Sequence, residues 1–277
     1  MSRNVVVIIG TGGMGLAIAR RLGSGSHLVL ADFSQGQLDS ATETLRREGH
    51  SVHAIQTDVG RFDSVQNLAQ QASHLGNIHA IAHTAGLSPA QASTDRIYQV
   101  DLLGTAHVID AFLSVVSADT ALVVIASLAG HQTKGTLSED LEKHLATAPA
   151  DKLLGHPELA PPSDLQENAP GLRAYGISKR ANIVRVQASA AAWGKKGARI
   201  NSVSPGLIST AMGHQEMQGP LKAQLKDLID NSAVTRVGTP GDIANVVAFL
   251  CSSEASFITG EDILMDGGWA SSKRWVN

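Results

Sequence analysis

Seven short runs of β-branched and small apolar residues punctuate the chain: Val5–Ile9, Leu28–Ala31, Val52–Gln56, Ile78–His83, Leu122–Ala126, Arg199–Val203 and Ile263–Met265. They are too apolar for strands with one wet face, so helices must cover both sides of the sheet they form. Stretches with helical spacing stand between most of them, at Leu16–Leu22, Gln35–Arg47, Asp63–Leu75, Ile97–Val115 and Asp242–Leu250. Strand and helix in alternation require a parallel sheet. The right-handed crossover rule then predicts an α/β, doubly wound arrangement of about seven strands. No internal repeat or linker divides the 277 residues, so residues 1–277 read as a single domain.

Composition narrows the function. Hydrophobic residues make up 43% of the chain, enough to bury a full core. A formal charge of −3 and 4% aromatic residues argue against nucleic acid as a partner, by phosphate neutralisation or by base stacking. No apolar run approaches the ~20 residues that span a bilayer, so no membrane partner is expected. The chain moves from Met1 straight into a strand-like run, which leaves no room for a signal peptide. The single cysteine, Cys251, excludes an internal disulfide and fits a reducing, cytoplasmic setting. The 11 histidines offer no metal site: His79 and His83 share a strand face but stand about 13 Å apart, and His50 and His53 lack further ligands.

One segment breaks the rhythm. Residues 131–170 hold five of the nine prolines, no aromatic residue, and seven acidic against three basic residues. Leu137–Leu145 suits a short helix and Pro161-Pro162 an extended pair. A solvated surface excursion and a functional insert are equally compatible with this composition.

The chemistry-bearing residues begin at Gly10-Thr11-Gly12-Gly13-Met14-Gly15, between the first strand and the first helix. Glycines at this spacing allow a tight turn and let backbone approach a pyrophosphate, with the helix N-terminus supplying N–H donors. Asp32 ends the second strand, 22 residues beyond Gly10. A carboxylate there accepts hydrogen bonds from the adenosine ribose of NAD and disfavours the 2′-phosphate of NADP. The next residue is Phe33 rather than a cation, which makes NAD the expected cofactor. Asp32 would serve equally as a cap for the helix beginning near Ser34. Tyr175 and Lys179 stand at i and i+4, on one helical face. An ammonium beside a phenol, helped by an oxidised nicotinamide, stabilises phenolate and makes the tyrosine a usable proton carrier.

These residues appear in a characteristic order with Asp58-Val59, Ala85-Gly86, Ser127, Asn201, Pro205-Gly206 and Asp266-Gly267-Gly268. In that order the sequence resembles the short-chain dehydrogenases/reductases almost end to end, with a Rossmann-type fold implied. Tyr175–Pro205, including Ala190-Ala191-Ala192-Trp193-Gly194, resembles the bacterial 3α-hydroxysteroid dehydrogenase/carbonyl reductase subset, which has a similar insert before its tyrosine. The resemblance implies that Ser127 binds the substrate oxygen and Tyr175 acts as general acid/base. Lys179 would hold the nicotinamide ribose, and Asp58 with Val59 would meet the adenine. Thr84, Ala85 and Gly86 would line the cofactor, while Pro205, Gly206, Ile208 and Thr210 would flank the nicotinamide. It also implies a substrate lid at about 207–235, where Met212, Met217, Leu221, Leu225 and Leu228 either line a hydrophobic pocket or pack on the core.

The chain departs from the family pattern in four places. Gly10 to Gly13 is three steps where the family usually has four, and the family's Asn-Ala-Gly segment reads His83-Thr84-Ala85-Gly86. The family's catalytic asparagine is Asp101, which can keep the same role through its backbone carbonyl, while its carboxylate would favour a charged Lys179. Ser127 and Tyr175 are 48 residues apart instead of about a dozen, so the insert enters beside the site. The family's tetramers use the tyrosine helix and the Ile97–Val115 helix as one interface. The expected assembly is a homo-oligomer, dimer or tetramer, and an insert that covers or restructures part of that interface would leave the dimer. The expected activity is NAD(H)-dependent interconversion of a secondary alcohol and a ketone on a small, hydrophobic substrate. The alternatives are an NADPH-dependent 3-oxoacyl reductase and a non-catalytic dinucleotide sensor.

Overall fold

The computed structural model describes residues 4–160, 169–219 and 222–275. Pro161-Pro162 and Leu221 lie outside the described residues. Seven strands form one all-parallel sheet: β1 (Asn4–Ile9), β2 (His27–Asp32), β3 (Ser51–Gln56), β4 (Asn77–His83), β5 (Ala121–Ile125), β6 (Arg199–Pro205) and β7 (Asp262–Met265). Their spatial order is β3-β2-β1-β4-β5-β6-β7. Each strand expected from the apolar runs is present, displaced by a residue or two at its ends. The order in which the chain adds strands reverses between β1 and β4, which opens a crevice at their carboxyl ends.

Side chains alternate across the sheet, and each parity has its own core. Val5, Val7 and Ile9 face Leu68, Phe112 and Trp193, beneath helices Phe62–Leu75, Gly104–Leu113 and Ala169–Gly194. Val6 and Ile8 face Ile18, Leu38 and Val247, beneath helices Gly13–Leu22, Gln35–Arg47 and Pro240–Cys251. Among the described residues no helix is long and apolar enough to cross a membrane.

Two elements differ from the sequence expectation. Ile97–Val115 is not one regular helix. An α-helical turn at Thr94–Ile97 runs into a π-helix at Tyr98–Leu103 and returns to α at Gly104–Leu113. The insert is not a solvated excursion either. Helices Glu139–Thr147 and Ala150–Leu153 and a 3₁₀ turn at Pro157–Leu159 bury Leu141, Leu145, Leu153 and Leu159 against Ile97, Leu102, Ile177 and Ala181. Polar bonds fix it there. Arg180 Nε donates to Glu142 at 2.6 Å, Arg185 Nη2 to the Ala148 carbonyl at 2.8 Å, and the Tyr98 hydroxyl to the Leu159 carbonyl at 3.1 Å.

Candidate active site

The glycine turn forms first. Gly10 takes φ +98°, open to glycine at little cost, and a Cβ on Gly15 would sit 1.9 Å from the Gly10 carbonyl oxygen. Thr84 Oγ1 donates to that carbonyl at 2.9 Å, tying β4 to the turn, and Thr84 and Ala85 N–H both donate to the Ile9 carbonyl. Gly12 is the N-cap of helix Gly13–Leu22, whose first turn has neither a side-chain cap nor an acidic residue. Nothing stands within 4 Å of the position a Cβ on Gly12 would occupy. The turn therefore presents uncapped N–H groups and a positive dipole end to open space, which fits a phosphate.

Asp32 meets the same turn. Its Oδ2 accepts from Thr11 N–H at 2.7 Å and from the Thr11 hydroxyl at 2.8 Å, and its Oδ1 accepts from Ser34 N–H at 2.9 Å. It thus braces the turn and the start of the next helix as well as standing at the crevice. Asp58 closes its own turn, accepting from Gly60 N–H at 2.9 Å, and Val59 is buried beside it. Thr11, Asp32, Phe33, Asp58 and Val59 thus gather at the carboxyl ends of β1, β2 and β3.

Across the crevice the 26-residue helix Ala169–Gly194 carries Tyr175 and Lys179. Ser127 ends β5 and caps helix Leu128–Gln132, accepting from Ala129 N–H at 3.2 Å. That short helix lies against the long one because Gly130 has no side chain. A Cβ there would be 2.7 Å from the Lys179 carbonyl oxygen. The close approach puts the Ser127 hydroxyl beside the Tyr175 phenol. Lys179 Nζ lies 5.4 Å from the Tyr175 ring centroid, 3.3 Å from Asp101 Oδ2 and 3.4 Å from the Ile125 carbonyl oxygen. The ammonium is thus held by one carbonyl acceptor and one ion-pair partner.

Asp101 is fully buried within the π-helix, and its Oδ1 accepts from Leu87 N–H at 2.8 Å. Its backbone carbonyl is held within the helices. It accepts from the Thr105 hydroxyl at 2.9 Å and from the Asn182 amide, oriented with its nitrogen toward these acceptors, at 2.9 Å. The carboxylate, with Oδ2 3.3 Å from Lys179 Nζ, stands where it favours a charged lysine, as the sequence led one to expect.

Charge follows from burial. Desolvation pushes the Tyr175 phenol up, Lys179 opposes this, and Asp101 and Glu216 add to it. Burial works against the Lys179 ammonium, but Asp101 and Tyr175 outweigh it and its pKa stands above the ordinary value. Burial also pushes the Asp101 carboxyl up, with Lys179 pulling against it. His83, buried against Thr105 Oγ1 at 3.1 Å, is lowered to about 3 by burial and by Lys179.

A cavity of about 1090 Å³ brings Met14, Thr84, Gly86, Asp101, Ser127, Tyr175, Lys179, Pro205, Gly206, Ile208 and Thr210 to one space. Thr210 caps helix Ala211–Gln218 through Gly213 N–H at 3.1 Å. Its methyl group lies 3.1 Å from where a Cβ on Gly13 would be, so the lid begins against the glycine turn. Met212, Leu225 and Leu228 line the cavity, and Leu228 also packs on Leu128 and Leu207. Sequence reasoning missed Glu216, a cavity-lining carboxyl raised by burial and held back by Ser88 and Lys179. A lone acid between Met212 and Met217 was its only signal. Asn182 was missed too, although it lies one turn after Lys179 on a fully buried stretch.

Known proteins resemble this chain in sequence and fold. The short chain dehydrogenase family model matches residues 3–138, and an enoyl-(acyl carrier protein) reductase model matches residues 163–270. A solved structure titled short-chain dehydrogenase/reductase, glucose/ribitol dehydrogenase, from Brucella melitensis superposes with a TM-score of 0.72 at 28% identity, covering 96% of each chain. Human dehydrogenase/reductase SDR family member 4 is 29% identical over 96% of this chain and 87% of its own. The short-chain dehydrogenase/reductase bsc3 of Alternaria brassicicola is 41% identical over 97% of this chain and 96% of its own. Identity sustained at that level from end to end exceeds what a common fold demands, and the chain belongs to the short-chain dehydrogenase/reductase family of oxidoreductases.

Proposed function

We propose that the protein interconverts a secondary alcohol and a ketone with NAD(H), on a small hydrophobic substrate. The observation that carries this reading is the convergence of Ser127, Tyr175 and Lys179 on one cavity beside an uncapped, glycine-walled helix N-terminus. The residues fit a nicotinamide dinucleotide. The turn Gly10–Gly15, with Thr11 and Met14, would hold the pyrophosphate. Asp32 and Phe33 would hold the adenosine ribose, and Asp58 and Val59 the adenine. Thr84, Ala85 and Gly86 would line the middle of the groove, and Lys179 the second ribose. Pro205, Gly206, Ile208 and Thr210 would hold the carboxamide end. When bound, the dinucleotide supplies or accepts the hydride.

The chain's own residues do the rest. The Ser127 hydroxyl donates to the substrate oxygen and fixes it near Tyr175. The Tyr175 phenol gives its proton to that oxygen in reduction and takes it back in oxidation. Lys179 stabilises the phenolate left behind, and Asp101 keeps the ammonium charged. The apolar wall of Met212, Leu225 and Leu228 supports a hydrophobic substrate. The single buried Cys251 supports a reducing compartment such as the cytoplasm. The insert, bonded over the faces of 94–106 and 174–184, supports a dimer in which those faces are not shared between subunits.

A panel of steroid, cyclic and acyl ketones, each with NADH and with NADPH, tests the reading. Turnover of a hydrophobic ketone with NADH is expected; consumption of neither reductant with any ketone contradicts it.

A further inference from the structure

The lid brings one acid into the cavity without a counter-ion. Leu87, Pro89, Met212 and Leu225 make an apolar wall there, and Glu216 stands among them. The other charged groups lining the cavity are engaged. Asp101 pairs with Lys179 at 3.3 Å, Asp227 with Lys273 at 2.5 Å, and Arg173 Nη2 donates to the Glu158 carbonyl at 2.8 Å. Among the described residues Glu216 has no ion pair; Lys179, on the same cavity, acts on it at longer range. A carboxyl in an apolar wall is costly unless something bonds to it.

The position is built. Leu87 N–H donates to Asp101 Oδ1 at 2.8 Å, which fixes the start of the 87–91 segment beside Lys179. Ser88 N–H donates to Gln91 Oε1 at 3.2 Å, and Gln91 Nε2 donates to Gln215 Oε1 at 3.0 Å, which ties the far end of that segment to helix Ala211–Gln218. Glu216 is the next residue of the helix. The Ser88 hydroxyl, fully buried, points at Glu216 and meets no other partner. A carboxylate accepts about four hydrogen bonds, so one hydroxyl leaves most of that capacity unused. The charge of Glu216 is felt by both Tyr175 and Lys179, which places it within reach of the reacting groups.

We propose that Glu216 is a specificity-determining residue whose carboxylate accepts a hydrogen bond from a second hydroxyl of the substrate, while Ser127 and Tyr175 hold the reacting oxygen. The inference rests on the alcohol/ketone reading above and narrows it. The substrate is a hydroxylated ketone, or the corresponding diol, on an otherwise apolar frame. Lys179 on the same cavity disfavours a second cation, so the donor is a hydroxyl and not an ammonium. A ketone without that hydroxyl leaves the carboxylate facing an apolar surface, and the site rejects it for that reason.

Cyclic and steroid ketones in matched pairs, with and without one further hydroxyl, test this through the ratio of kcat/KM within each pair. The wild-type protein is expected to favour the hydroxylated member of at least one pair about tenfold or more, as a hydrogen bond to a charged group does. Glu216→Leu is expected to bring that ratio to about one, and Glu216→Gln, which keeps an acceptor oxygen without the charge, to an intermediate value. A structural or purely electrostatic role alters both members of a pair alike and leaves the ratio unmoved. Should Glu216→Leu fail to fold, the ratio in Glu216→Gln decides. An unchanged ratio in the variants overturns the assignment, and so does a wild type that turns over ketones with no preference for the hydroxyl. Preference for an amino ketone over its hydroxylated counterpart, lost in Glu216→Gln, overturns the hydroxyl in favour of a cation. In each of these cases the alcohol/ketone reading stands, whereas no turnover of any ketone overturns that reading as well.

Discussion

The Asp101 carboxyl is buried against Lys179, 3.3 Å from its Nζ, and the consequence is a pH effect with a definite sign. Tyr175 is faced by Lys179 from its own helix, by Asp101 from the π-helix, by Glu216 from the lid and by Ser127 from β5. His83, at about 3, is neutral at working pH and adds no charge. Asp101 raises both the phenol and the ammonium. Removing its charge lowers both, so Asp101→Asn is expected to move the whole kcat/KM profile for alcohol oxidation toward lower pH, the rising limb through Tyr175 and the falling limb through Lys179. Profiles recorded over the pH range would show this displacement. An Asp101→Asn profile that superimposes on wild type, or full turnover of Asp101→Ala at every pH, contradicts the role. The residue and the pull of its carboxylate on Lys179 were legible as a departure from a family asparagine. The occupation of its carbonyl by Thr105 and Asn182 was not, because it depends on a helix packed from elsewhere in the chain.

At the scale of elements, the insert and the helix it covers are one unit. From Gly176 to Val186 every residue is buried, including Lys179, Arg180, Asn182 and Arg185. A helix enclosed on all sides has no apolar stripe, so its extent could not be read from periodicity. The insert's leucines, Leu141, Leu145, Leu153 and Leu159, are too sparse to announce a core; they become one only against Ile97, Leu102 and Ala181. The π-helix was hidden for another reason: Ile97–Val115 is apolar enough to satisfy a regular helix, and the widened turn is settled by packing. Such turns concentrate at functional positions, and this one carries Asp101. Leu145→Ala, at a fully buried position in this unit, is expected to cost about 2–5 kcal/mol in denaturant unfolding. A loss under 0.5 kcal/mol would mean the insert is not packed as described. Light scattering on the same preparations should give a dimer.

For the molecule as a whole, the site exists only because the sheet collects distant segments at one edge. The glycine turn, Ser127, the Tyr175 helix and the lid meet across the carboxyl ends of β1, β4, β5 and β6. The strands were legible because each is a short, continuous apolar run, which is a local signal. The glycine turn, Asp32 and the Tyr175–Lys179 pair were legible because each is a short-range pattern. Glu216 and Asn182 were not, since each meets across the fold a partner no spacing rule connects to it. The central claim is that a bound dinucleotide does its chemistry only with the Tyr175 proton in place. The direct measurement is turnover of a ketone by Tyr175→Phe alongside calorimetric binding of the dinucleotide. The account predicts a fall in kcat of about 10²–10⁴ with dinucleotide affinity within twofold of wild type. Wild-type turnover by Tyr175→Phe would contradict it.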